Sequence, residues 1–125
     1  MITKAEVVPL LLAACPTARE RWATHIAWWK GEPAGSFNDI AVMAHHVIEL
    51  YATGHTTEFV AFFAAVEKIF LEGDEDAREL ASTGLLEDMQ NIASHREFGA
   101  GPFVQWLGPK TRAAWDRVNH RDAVL

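Results

Sequence analysis

Apolar residues return along this chain at helical intervals, and almost nowhere with the alternation of a strand. At 100° per residue, Phe59, Phe62, Phe63, Val66, Ile69 and Phe70 share one face of a helix ending near Gly73. Phe37, Ile40, Ala44, Val47, Ile48 and Tyr51 do the same for a helix from Ser36 to about Gly54. Between Asp74 and Ser94, Ala77, Leu80, Ala81, Leu85, Leu86, Met89 and Ile92 spread round most of the circumference. A helix apolar on so many sides belongs in the middle of a bundle. A shorter stripe, Ala18, Trp22, Ile26 and Trp29, marks a helix from about Thr17 to Lys30, and Trp28 points about 100° off its centre.

The punctuation agrees with these periods. Thr3 and Glu6 have capping-box spacing, and the helix they open should end near Cys15-Pro16, shortened or kinked by Pro9. Gly31 and Pro33 stop the second helix, Ser36 with Asp39 opens the third, and Thr56 opens the fourth. Asp74 caps the fifth, with Glu75 and Asp76 against the positive end of its dipole. After the loop Gly99-Ala100-Gly101, Pro102 begins a short helical turn through Leu107. Pro109 then opens a last helix ending near Asn119. Short connections make the third, fourth and fifth helices consecutive antiparallel neighbours. The expected fold is all-α: one compact antiparallel bundle of six or seven helices over residues 1–125, with the helix at about 74–94 central.

Composition supports a core built without staples. Half of the 125 residues are hydrophobic, and seven Phe and five Trp supply bulk. Cys15 is the single cysteine, which excludes an internal disulfide and a thiolate-rich zinc site. The apolar run Val7 to Cys15 contains Pro9, is poor as a signal peptide and is too short to span a bilayer. A cytoplasmic location without membrane contact is the expectation.

Charge changes the picture more. The segment from Glu67 to Gln90 holds eight acids against Lys68 and Arg78, which alone equals the net −6 of the whole chain. From Arg96 onward five bases face three acids. An acidic molecule repels phosphate backbones, so nucleic acid is not expected as a partner, whereas a basic protein is compatible. Glu75 and Asp76 have a local reason at the helix start. Glu72, Glu79, Glu87 and Asp88 need either solubility or a cationic partner to explain them.

Candidate chemistry is sparse. Gly84, Glu87, Asp88, Asn91 and His95 fall on one stripe about 100° wide, able to bind a cation or polar ligand or to be a solvated face. His45, His46 and Glu49 could pair as metal ligands at helical spacing, but three or four ligands at a diagnostic spacing are missing. No metal and no cofactor is therefore expected. Trp28 is an interface or ligand-platform candidate, or else a residue half-covered by the Gly31 to Gly35 segment. Cys15, where an apolar helix ends, suits an inert core thiol better than an activated one. No Gly-x-Ser-x-Gly elbow or phosphate-cradling glycine loop is present.

Three segments carry a resemblance: Glu67 to Gly73 with Asp74-Glu75; Gly84-Leu85-Leu86-Glu87-Asp88-Met89-Gln90-Asn91; and Trp106-Leu107-Gly108-Pro109 with Trp115. With Cys15-Pro16 and Trp22 they resemble a family of short, uncharacterised bacterial all-helical proteins. The resemblance implies a stand-alone cytoplasmic bacterial domain and carries no catalytic residue. In style such small acidic helical proteins are similar to immunity proteins that neutralise toxins, an analogy of fold alone. Two functions follow as expectations. The preferred one is an acidic, immunity-like interaction module binding a basic protein. The other is a ligand-binding or enzymatic domain sited on the Gly84, Glu87, Asp88, Asn91 and His95 stripe.

Overall fold

Thr3 opens the helical part of the chain as its spacing to Glu6 requires. The Glu6 carboxylate accepts the Thr3 backbone N–H at 3.0 Å and the Thr3 hydroxyl at 2.9 Å. The computed structural model describes residues 1–124, with side chains through Asn119. Its helices are α1 (Lys4–Ala14), α2 (Arg19–Trp28), α3 (Ser36–Ala52), α4 (Phe59–Glu72), α5 (Glu75–Glu79), α6 (Glu87–Ser94) and α7 (Pro109–Val124). Two 3₁₀ turns, Pro16–Ala18 and Gly101–Trp106, lie between them. No described helix is long and apolar enough to cross a membrane.

α5 and α6 are not separate rods. A π-helical segment, Leu80–Leu86, joins them into one continuous rod over 75–94. Asp74 caps it as expected, its carboxylate accepting the Ala77 N–H at 2.8 Å. Ala77, Leu80, Ala81, Leu85, Leu86 and Met89 on the rod are all essentially inaccessible to water. The π-helical segment touches α1, α3, α4 and α7, so the rod is central. At its middle, a Cβ on Gly84 would stand 2.9 Å from Cγ2 of Ile40 and 3.4 Å from the Phe37 ring. The missing side chain therefore sets how closely α3 approaches.

The α4 stripe packs as its period predicts, with Phe59, Phe62, Phe63, Val66 and Ile69 buried and Phe70 half-buried. The turn Gly101–Trp106 swings Phe103 and Trp106 back onto it, and Trp106 lies 4.8 Å from Phe59 in an edge arrangement. Ahead of α1, the Ile2 N–H bonds the Glu72 carbonyl at 2.9 Å and its carbonyl accepts the Asp74 N–H at 2.8 Å. This short extended strap is clamped over the α4–α5 turn.

Several details differ from the sequence expectation. α2 has no buried residue, and Ile26, placed on its core face by periodicity, is 49% exposed. The helix lies at the edge, packing chiefly on α3, and has too little neighbouring surface to bury a full stripe. Phe37 is also exposed, because the start of α3 overhangs the rod at Gly84 rather than penetrating between helices. Asp39 does not fold back on Ser36; its carboxylate receives His25 Nε2 at 2.9 Å, and Gly35 is the N-cap. Pro9 sits inside α1 without ending it. α3 and α4, expected side by side, both pack instead on α1 and on the rod.

Truncating a buried Phe costs about 3–5 kcal/mol through lost transfer energy and the cavity left behind. Phe63→Ala should therefore shift the urea midpoint strongly downward; an unchanged midpoint would place Phe63 outside the core. Gly84→Ala sets a helix-propensity gain of up to about 1 kcal/mol against overpacking of about 1–3 kcal/mol. Since Ile40 Cγ2 is a branch methyl that cannot swing aside, the clash should win and the thermal midpoint fall.

Candidate functional site

The stripe predicted on the rod divides. Gly84 is consumed by α3 packing. Glu87, Asp88 and Asn91 border an open cleft of about 540 Å³ between α6 and α7, together with Gln90, Ser94, Ala100 and Asn119. His95 caps the end of α6 and is exposed, away from this cleft. Burial raises the Asp88 carboxyl above its ordinary value, with His45 acting the other way. Gln90 is buried. Its amide N–H bonds the Trp115 carbonyl at 2.9 Å, while its Oε1 has no hydrogen-bond partner among the described residues.

The helix 36–52 candidates also separate. His45 is exposed, and Glu49 reaches out to Arg96 at 3.3 Å. His46 turns inward, 8% exposed, towards partners that no sequence spacing links to it. Those partners come from three places in the chain. Cys15 ends α1, Thr17 lies in the following 3₁₀ turn, and Glu58 precedes α4. Arg21 Nε can only donate, so the 3.3 Å contact makes His46 Nδ1 an acceptor. The imidazole proton then sits on Nε2 and is donated to Thr17 Oγ1 at 2.8 Å. Thr17 in turn donates to Glu58 Oε1 in a short hydrogen bond, and the Cys15 thiol donates to the same oxygen at 3.3 Å. The Thr17 N–H bonds Glu58 Oε2 at 3.3 Å.

The electrostatics follow this chain of donors. Burial opposes ionisation of Glu58, but the bonds from Thr17 and Cys15 outweigh it and lower its pKa. Burial, then the Arg21 charge, hold His46 below its usual value. Burial and the adjacent Glu58 push the Cys15 thiol up to about 12. The sulfur is fully enclosed, so this thiol is a poor nucleophile, as its place at the end of an apolar helix suggested.

The acidic segment is likewise heterogeneous. Glu67 reaches across from α4 and caps α7, accepting the N–H groups of Lys110 at 3.0 Å and Thr111 at 2.8 Å and the Thr111 hydroxyl at 2.8 Å. Gly108, the residue before Pro109, has no side chain to cap with, and a Cβ there would stand 2.6 Å from the Glu67 carboxyl carbon. Asp74 serves the start of α5. Glu72, Glu75, Asp76 and Glu79 are exposed. Trp28 is 79% exposed, so the Gly31 to Gly35 segment does not cover it. Arg121 and Asp122, counted with the basic stretch, lie outside the described side chains.

Some residues that carried the family resemblance meet one another: Glu67 with Gly108, and Gln90 with Trp115. The family model described as a domain of unknown function (DUF7674) matches residues 8–121, and the chain belongs to that family. No curated protein and no solved structure matches it.

Burial also opposes ionisation of Glu67, yet the α7 N–H groups lower its pKa. A depressed carboxyl contributes stability that is present above its unfolded value, near 4.5, and is lost as pH falls through the folded one. Glu67→Gln should cost about 0.5–2 kcal/mol at pH 7, the range for losing a helix cap. It should also flatten the stability loss below pH 4.5 in denaturant titrations. A variant as stable as the parent at both pH values would remove this role.

Proposed function

We propose that the protein is an interaction module that binds a basic protein partner through the acidic end of the molecule, around the α4–α5 turn. The observation that carries this reading is what remains once structural acids are removed. Glu67 and Asp74 are committed to helix caps, whereas Glu72, Glu75, Asp76 and Glu79 face solvent within eight residues of chain. None of the four makes an ion pair among the described residues. Leu71, beside them, is 61% exposed and offers an apolar anchor within the charged surface. Such a surface steers a cationic partner and adds contact energy at its centre. An immunity-like role in a bacterial cytoplasm fits it.

A second reading is supported by the α6–α7 cleft of about 540 Å³, where Asp88 and Asn91 lie together at the edge. These are acceptor-rich groups, suited to a small cationic ligand or to one basic side chain of the same partner.

Immobilised parent protein and a Glu72→Lys, Glu79→Lys variant should be exposed to the same cell extract at 0.1 M and 1 M salt. The Debye length falls from about 10 Å to about 3 Å over that range. The proposal expects a basic protein retained at low salt by the parent, released at high salt, and not retained by the variant. Retention of the same proteins by both, at either salt, would reduce the acidic end to a solvated face.

A further inference from the structure

We propose that Cys15, His46 and Glu58, brought together by the α1–α2 junction, α3 and the start of α4, form a site for one zinc-class divalent cation. Their sulfur, imidazole nitrogen and carboxylate oxygen lie within 4.8 Å of one another. Donors around a tetrahedral zinc stand about 3.3–3.8 Å apart, given ligand distances of about 2.0–2.3 Å. The 3.3 Å between Cys15 Sγ and Glu58 Oε1 already meets this spacing. The imidazole nitrogen has to close to this spacing from no more than 4.8 Å.

The donor set selects the metal. A thiolate with an imidazole and one carboxylate suits zinc or cobalt and is a poor set for magnesium or calcium, which require oxygen ligands. Three protein ligands leave a fourth position, next to which Thr17 Oγ1 lies, 2.8 Å from His46 Nε2 and in contact with Glu58. Without metal, the Thr17 hydroxyl bridges His46 Nε2 and Glu58 Oε1, so this side chain has to turn aside as a cation enters. Cys15 and Glu58 both point an anion-forming group at the space it enters, and a divalent ion neutralises the pair.

The Cys15 S–H proton leaves to solvent as the S–metal bond forms, and Glu58 enters as the carboxylate it already is. The His46 proton moves from Nε2 to Nδ1, freeing Nε2 to ligate. One proton is released per metal bound. Arg21 Nε, which now donates to Nδ1, has to withdraw, and its exposed side chain is free to do so. The route in is short: Thr17, Glu20, Arg21, Thr24 and His46 line an open cleft of about 360 Å³ over the cluster. This site is separate from the acidic end, so either can fail without the other.

The test uses purified, untagged, full-length protein and two probes, Co²⁺ and Zn²⁺. Co²⁺ added to the parent should give a near-ultraviolet thiolate-to-metal charge-transfer band with the strong visible absorption of a tetrahedral centre. Zn²⁺ should bind one per chain by calorimetry, with one proton released. It should raise the melting temperature, because the metal clasps three elements. Cys15→Ser should abolish the cobalt band and weaken zinc at least about 100-fold, the upper range for losing even an outer-shell partner. His46→Ala should weaken zinc similarly, and His45→Ala should not. Arg21→Ala should tighten binding by removing the donor that faces Nδ1. A parent without the thiolate–cobalt band overturns the proposal, whatever the variants do. So does zinc binding that Cys15→Ser and His46→Ala leave unchanged.

Discussion

A helix that is apolar on nearly every side has to be enclosed, and the rod over 75–94 places that demand on every other element. α1, α3, α4 and α7 all touch its middle segment. The π-helical turns at Leu80–Leu86 rotate the rod's faces part-way along, so partners from different directions can each meet an apolar surface. Gly84 lies in the same stretch and lets Ile40 and Phe37 come close. α2, which packs chiefly on α3 at the edge, has no buried residue.

Enclosure strands polar groups at the ends of the surrounding helices, and the protein satisfies them with side chains from distant parts of the sequence. The start of α7 has a glycine and a proline where a capping side chain would normally stand, and Glu67 on α4 supplies it. Where α1 gives way to α2, Glu58 collects the Thr17 N–H, the Thr17 hydroxyl and the Cys15 thiol. Gln90 leaves the rod to bond the Trp115 carbonyl. These are charge-assisted or buried contacts, the kind that cost most to break.

The helices were legible in the sequence because their signals are local. The α4 stripe, the Asp74 cap, the Thr3–Glu6 pair and the wide apolar surface of the rod each need only neighbours within about a turn. Signals that depend on the partner were not legible. Ile26 has the right period but no helix to face, and Phe37 overhangs a glycine on another element. The candidate residues divided for the same reason. Glu87, Asp88 and Asn91 remained together because one helix carries them, whereas His46 left His45 and Glu49 for Cys15 and Glu58. Those partners stand 31 and 12 positions away, and no periodicity links them. A cysteine beside Pro16 at a helix end was the single hint that a buried polar junction lay there.

Native-state hydrogen exchange read by mass spectrometry tests the central claim most directly, since it ranks segments by the free energy needed to open them. If the rod is what the rest encloses, peptides covering Leu80–Ala93 should be among the slowest to exchange. They should open only with global unfolding, while α2 exchanges through local fluctuations. Rod peptides that exchange as fast as those of α2 would contradict the account.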